Sequence, residues 1–412
     1  MGVQPRLGNT ERSHKEGEVL HRLPKGVLLE PVEVSIVVPA LNEEITVGEF
    51  VDWCHEGLRK AGVKGQILIV DSSTDRTPEI VLERGGEVLQ TPKRGLGRAY
   101  IDSIPYIRGQ FVVMGDADLT YDFRELLPFV ERFRAGAHFV MGSRFRGSIE
   151  EGAMPPLHRY FGTPLTTFIL NLIYGSAYTD IHCGMRGLSV EAFHKIDLRS
   201  QSWEYASEMV LKAARLKIPT AEVPVKFYKD REGRDSHLKR GGWLAPWKAG
   251  WINLKVMLVY SPDTFLFLPG CLMFVLGTLF SLCLSGGPIQ VGSIGFNLHW
   301  MLLGLMLSTL GYSFLQIGVV ARVLHRLQLG VVAELERKLT YDRGMGIAGC
   351  SVLFGGALVF PLVVEYFRNN FRLTQISHPA IFGILVMILG FQTFCFVLLL
   401  EMIQRVVVKR PR

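Results

Sequence analysis

The sequence predicts a two-part protein: a parallel α/β domain over residues 31–240 and four transmembrane α-helices over 261–412, joined by an interfacial amphipathic helix over 241–260. Three observations predict this. Short β-branched runs alternate with helix-forming segments between residues 33 and 122, the pattern of strands returned to one sheet by crossover helices. Beyond Pro262, long apolar runs take over. Between these two regions Trp243, Trp247 and Trp251 repeat at helical spacing, with Lys248 and Lys255 on other faces of the turn, as in a helix lying in the headgroup layer.

The first thirty residues carry no apolar signal core, and the opening Met-Gly lacks the Ser or Thr that a myristoylation signal expects, having Arg6 instead. They read as a tail. "EVSIVVPALNEE" (33–44) is then a strand ending at Pro39, a loop with Asn42 and Glu43, and a helix start. "GQILIVDSSTDRTPEIVLERG" (65–85) repeats this logic, with the strand ending at Asp71 and the helix beginning near Thr77-Pro78. "EVLQT" is a third strand, and "FVVMG" a fourth. In such sheets ligands collect at the carboxyl ends of the strands, the edge to which Asn42, Glu43, Asp71, Asp116 and Asp118 all belong.

The fourth strand runs into "GDADLTYD", where Asp116, Asp118 and Asp122 crowd together. Like charges this close raise each other's pKa unless a cation sits between them. Two readings fit: a divalent-metal site, or a polar turn with an Asp cap. "KRGLGRA" (93–99) offers another pair of readings. Gly95 and Gly97 before a helix start, with Lys93, Arg94 and Arg98, suit a diphosphate; a glycine turn with solvated cations suits the same residues.

The four apolar runs cover 264–284, 298–321, 346–364 and 379–400, each near the ~20 residues needed to span a bilayer, and none contains Asp, Glu, Lys or Arg. Arg322, Arg326, Arg337, Lys338 and Arg343 lie between the second and third runs, and the C-terminus is basic. The link between the first and second runs is uncharged, although Arg368 and Arg372 follow the third. This bias predicts a cytoplasmic N-terminal domain and C-terminus. The formal net charge of +7 is what anionic lipid and phosphorylated ligands would favour, and no nucleic-acid partner is expected. Six scattered cysteines without a CxxC pair predict neither a disulfide framework nor a zinc site.

"VVPALNEE", "VDSSTD", "RGLGRA", "GDADLTYD", "GSRF" and "TDIHCGMRG", in that order over residues 33–240, resemble the family-2 GT-A glycosyltransferases, and most of all the polyprenyl-phosphate sugar synthases of the dolichol-phosphate mannose or glucose type. The resemblance implies a Rossmann-like GT-A fold of the nucleotide-diphospho-sugar transferase type. It also implies metal-dependent inverting transfer of a hexose from a nucleotide diphosphate sugar, of the UDP-glucose or GDP-mannose type, to polyprenyl phosphate (dolichyl, undecaprenyl or decaprenyl). It makes Asp116 and Asp118, flanking Ala117, the pair that holds Mg²⁺ or Mn²⁺, with Thr120 where some relatives supply a third ligand. Pro39, Asn42, Glu43 and Asp71 match positions around the nucleoside, and Lys93, Gly95, Gly97 and Arg98 those along the diphosphate. The usual "DDGSTD" run is here "VDSSTD", so only Asp71 and Asp75 of its acidic residues remain.

For the acceptor, "MPPLHRYFGTPLTTFILNLIYG" (154–175) places Arg159 and Thr163 one turn apart, a spacing that in the family contacts the lipid phosphate. Its Leu165, Phe168, Ile169, Leu172 and Ile173 suit either a membrane surface or a core. Arg144 and Arg234 are further cations suited to a phosphate. A phosphate monoester is already largely ionised near pH 7, its second pKa being about 6, so it needs little help from a base. Asp180 is the preferred carboxylate near the acceptor and Glu208 the other candidate, although a solvated helix surface is the preferred reading of Glu208; His182 is read as structural.

The alternatives are a degenerate, non-catalytic membrane scaffold and a transferase acting on another lipid or glycan. A processive polysaccharide synthase would carry a QxxRW motif, absent here, and a nucleotidyltransferase would carry a Gly-rich loop where "PALNEE" stands. Transport has little support in charge-free spans, which fit anchoring, lipid guidance or self-association into a homo-oligomer.

Overall fold

The structure, a computed structural model, describes residues 19–26, 29–231, 255, 258, 261–324, 340–372 and 375–408. Arg234, Trp243, Trp247, Trp251 and nearly all of the interfacial segment lie outside the described residues. The chain divides into two compact units, Met1–Met257 and Leu258–Arg412.

The first unit is built on one eight-stranded sheet. Its elements are β1 (Leu20–Arg22), β2 (Val32–Ala40), α1 (Val47–Ala61), β3 (Gly65–Asp71), α2 (Thr77–Glu83), β4 (Glu87–Gln90), α3 (Leu96–Ser103), β5 (Gly109–Met114), α4 (Leu127–Arg134), β6 (Phe139–Ile149), α5 (Thr163–Tyr174), β7 (Arg186–Ser189), α6 (Val190–Ile196), α7 (Tyr205–Arg215) and β8 (Thr220–Phe227). The order across the sheet is β1-β4-β3-β2-β5-β7-β6-β8. Strands β4, β3, β2 and β5 run parallel, and β7 enters antiparallel between β5 and β6. The parallel strands are the predicted ones, because Val34, Ile36, Val37, Val38, Leu68, Ile69, Val112 and Val113 are buried in continuous rather than alternating runs.

Topology decides where a ligand can bind. The chain moves from β2 outward through β3 to β4, then α3 carries it back to β5 on the other side of β2. The crevice between the ends of β2 and β5 is thus the switch point of the sheet. Val37 lies across from Met114, and Ala40 across from Asp71, so all three acidic or polar loops open at one edge.

In the second unit, α8 (Leu268–Cys283), a β9–β10 hairpin (Ile289–Val291, Ile294–Phe296), α9 (Leu298–Leu324), α10 (Tyr341–Arg368) and α11 (His378–Val408) follow one another. Among the described residues, four helical stretches are long and apolar enough to cross a bilayer: Thr264–Gly286, Leu298–Val323, Tyr341–Arg368 and His378–Ile403. The third runs past its apolar run at both ends, taking in Asp342, Arg343, Glu365 and Arg368. Backbone hydrogen bonding does not stop where hydropathy does, so helix length exceeds the apolar run. Close helix contact rests on small residues: a Cβ on Gly277 of α8 would stand 2.4 Å from the Ser308 nitrogen of α9.

Candidate active site

The loops after β2 and β3 are tied together by side chains. The Asn42 backbone N–H donates to Ser73 Oγ at 2.7 Å, and the Thr74 N–H donates to Asn42 Oδ1 at 2.9 Å. Asn42 holds φ +57°, which Asn tolerates better than most residues. The Glu43 N–H donates to Thr77 Oγ1 at 2.9 Å, and Thr46 donates to the Glu43 carboxylate at 3.2 Å. Glu43 is therefore buried and its backbone helps start α2. Asp75 accepts from Thr77 at 3.0 and 2.6 Å, a turn lock that explains the "STDRT" spelling.

Asp71 is different. It ends β3, is 1% exposed, and accepts the Ser73 N–H on Oδ1 at 3.2 Å, while its buried Oδ2 has no hydrogen-bond partner among the described residues. Burial pushes its carboxyl above the ordinary range, against the hydrogen bonds to Ser73. A buried acceptor without a donor is costly, and a ligand N–H is the simplest remedy.

The Asp loop is equally tight. Thr120 donates its N–H and hydroxyl to Asp118 Oδ1 at 3.0 and 2.6 Å. Leu119 between them is forced to φ +64°, a strained conformation for a branched side chain. The loop is tied to β8, since the Tyr228 N–H donates to the Thr120 carbonyl at 2.8 Å. Ala117 is buried, and Asp116 lies against Gly184, where a Cβ would stand 2.7 Å from Asp116 Oδ2. Glycine there leaves space beside the carboxylate.

The Thr120 hydroxyl donates to Asp118 and so orients that carboxylate, a bond that uses its proton and leaves its oxygen lone pairs for a metal. Among the described residues no group of three or more His, Cys, Asp or Glu side chains is placed to hold a metal. Two carboxylates at a strand edge nevertheless fit Mg²⁺ or Mn²⁺, hard ions that complete their shell with substrate phosphate and water.

Gly95 and Gly97 have a packing role of their own. A Cβ on Gly95 (φ +109°) would stand 2.3 Å from the Gln201 carbonyl oxygen, and one on Gly97 would stand 2.0 Å from that of Ser200. These glycines admit the backbone of residues 200–202. Gly97→Ala is therefore expected to destabilise the fold by about 1–3 kcal/mol, as overpacking does, read as a lower thermal midpoint; an unchanged midpoint would refute the contact. Beside them Arg94 and Arg98 both pair with Asp102, at 2.7 and 2.8 Å, and Lys93 is exposed.

Asp180 and Arg144, read separately from sequence, are brought together. Arg144 donates Nε and Nη2 to Asp180 at 2.7 and 2.9 Å, and its backbone N–H donates to the same carboxylate at 3.1 Å. Their side chains are 9% and 0% exposed. Burial would raise the Asp180 pKa, but Arg144 outweighs it and holds the carboxyl below the ordinary range. Both carboxylate oxygens are occupied, so in this arrangement Asp180 has no open lone pair for a substrate proton, and the guanidinium fork is already filled. His182 alongside is pushed down to about 4, by burial first, and its Nε2 shares a hydrogen bond with Thr166 at 2.9 Å.

Arg159 lies in a π-helical turn, His158–Gly162, ahead of α5 and stacks on Tyr160. Thr163, which opens α5, is buried. The helix hides Thr163, Thr167 and Leu170 and exposes Leu165, Phe168 and Leu172, with Phe161 just before it. A core helix has the opposite arrangement.

Glu208 is neither solvated nor an open acid. It is 0% exposed, pairs with Lys212 at 2.5 Å and accepts the N–H groups of Ser200 at 2.7 Å and Arg199 at 3.1 Å. Sequence reading missed this, and also Arg186, which is 1% exposed and donates to the carbonyls of Ala206 and Cys183 at 2.8 and 2.5 Å. The "EM" and "MRG" contexts carry no local signal of either partner.

Residues 35–197 match the model of glycosyl transferase family 2, and residues 324–404 match that of the family's C-terminal transmembrane region. The chain is 34% identical over 343 residues to low-salt glycan biosynthesis hexosyltransferase Agl6 of Haloferax volcanii, covering 81% of each chain. It belongs to glycosyl transferase family 2. As a family-2 glycosyltransferase it has a GT-A-type α/β domain and a C-terminal transmembrane region. It is also 28% identical over 204 residues to the dolichyl-phosphate hexose transferase of the same organism, covering 49% of this chain and 85% of that one. Among solved structures it is similar to glucosyl-3-phosphoglycerate synthase of Mycobacterium tuberculosis in complex with Mn²⁺, UDP and glucosyl-3-phosphoglycerate (20% identical, 56% of this chain and 80% of that one, TM-score 0.42).

Proposed function

We propose that this glycosyltransferase moves a hexose from a nucleotide diphosphate sugar to a polyprenyl phosphate at the cytoplasmic face of a membrane, with inversion at the anomeric carbon. The observation that carries the reading is the convergence at one sheet edge of Asp71, with its unpartnered buried oxygen, and the Asp116–Asp118 loop. Asp71 takes a nucleobase N–H, and the stitched loops around Asn42 and Glu43 close the nucleoside pocket. Asp116 and Asp118 hold the divalent ion, which when bound neutralises the departing diphosphate. Lys93, which is exposed, takes the same phosphates in this reading, while Arg94 and Arg98 shape the segment through Asp102.

Arg144 and Asp180 act here as positioning residues: their pair fixes the middle of β6 against the loop before β7. Arg159 is the acceptor-phosphate residue, with Arg234 as a second, and Thr163 backs the turn from inside. The exposed strip Phe161, Leu165, Phe168 and Leu172 supports a lipid-facing acceptor side, because such a strip is costly in water and favourable in an interface. The named transferase of dolichyl phosphate among the relatives supports the same acceptor class.

The acceptor oxygen is a phosphate oxygen, largely ionised near neutrality. No carboxylate has to take its proton, which agrees with the closed state of Asp180 and Glu208. The test is incubation of the detergent-purified full chain and polyprenyl phosphate with UDP- and GDP-linked hexoses and Mn²⁺. Labelled lipid is expected from one donor class, and label in no lipid from any of them removes the reading.

A further inference from the structure

Residues 199–205 join α6 to α7, and the protein fixes this turn from three directions. The buried Glu208 carboxylate holds the Arg199 and Ser200 N–H groups. Gly95 and Gly97 allow α3 to approach the turn's backbone, and the Arg98 N–H donates to the Gln201 carbonyl at 3.0 Å. Arg186, in register with Met114 two residues before Asp116, holds the Ala206 carbonyl just beyond the turn. Tyr205 stacks on Tyr100 with centroids 4.9 Å apart. Both rings are buried and lie within electrostatic reach of Asp116.

In the middle of this turn Trp203 is 57% exposed. A mobile loop could fold such a ring away. Here the backbone is fastened on either side of the tryptophan, so the turn that carries the ring is held in place. A buried carboxylate, a buried guanidinium and two glycines are thus committed to a turn that carries one large exposed aromatic side chain and packs on the start of α3, the segment that follows β4 at the carboxyl edge of the sheet.

We infer that Trp203 is the stacking platform for the hexose ring of the donor. An indole face is apolar and electron-rich, and it complements the C–H face of a pyranose while leaving the hydroxyls to polar partners. A fixed platform avoids the ordering cost that a flexible loop would meet on binding. The inference rests on the sugar-nucleotide reading above, and it adds the residue that would discriminate among hexoses.

The test compares the full chain with W203A and W203F, measuring donor and acceptor KM and the binding of the nucleotide sugar and the bare nucleoside diphosphate by calorimetry. W203A is expected to weaken nucleotide-sugar binding and raise donor KM about tenfold or more, with bare diphosphate binding within about twofold of wild type. W203F should fall between. Unchanged donor KM and binding overturn the inference. So does an equal loss for the bare diphosphate, which would place the ring on the base or the phosphates, and so does a change confined to acceptor KM, which would place it against lipid. If wild type binds a nucleotide sugar but transfers to no polyprenyl phosphate, the acceptor reading fails while the binding comparison still decides Trp203. If it binds no nucleotide sugar, both fail.

Discussion

Asp116→Asn is expected to lower turnover by about two to three orders of magnitude, the scale seen when one charge-stabilising group is removed from a transition state, while the thermal midpoint moves by no more than about 2 °C. The substitution keeps the shape of the side chain and removes its charge. Asp116 lies beside Gly184 and the Tyr121 ring, and within electrostatic reach of Tyr100 and Tyr205, whose phenols burial keeps neutral. Mn²⁺ binding in the presence of nucleoside diphosphate, followed by calorimetry, should fall with the activity. If the variant melts early and keeps a tenth or more of wild-type turnover, Asp116 is a structural residue and the metal assignment is wrong.

Arg144→Met is expected to destabilise the first unit by about 3–5 kcal/mol, the usual result of stranding one member of a buried ion pair. Asp180 would be left with no exposure and without the two guanidinium bonds that now hold it. Denaturant titration of the purified full chain, followed by tryptophan fluorescence, measures the loss. Asp180→Asn should cost a similar amount, and the double variant less than the sum, since the two share one interaction. A pH series gives an independent check. The Asp180 carboxyl is held below its ordinary range in the folded protein. Its contribution is therefore complete above the unfolded value, about 4, and is lost as pH falls through the lower folded one. Acid sensitivity below about pH 4 should shrink in Asp180→Asn. Additive single losses and an unaltered acid limb would show that the pair is not coupled.

The parallel strands, the Asp loop and the four membrane helices were all legible in the sequence. Each is a local pattern: buried β-branched runs at Val34–Val38 and Ile67–Val70, like charges at Asp116 and Asp118, and apolar runs long enough to span a bilayer. The antiparallel insertion of β7 between β5 and β6 was not legible, because pairing over such separations leaves no periodic trace.

The same division runs through the site. Spacing identified the acidic strand ends, because a residue at the end of a parallel strand must lie at that edge whatever surrounds it. Spacing did not reveal that Arg144 and Asp180 neutralise each other across 36 positions, or that Thr120 turns its hydroxyl onto Asp118. Nor did it show that Gly95 and Gly97 make room for Gln201 and Ser200. The physical reason is one of range. Periodicity, helix propensity and hydropathy act over a few residues and are written in the chain itself, whereas the partner of a buried charge or the neighbour of a missing Cβ is chosen only when distant segments close on one another.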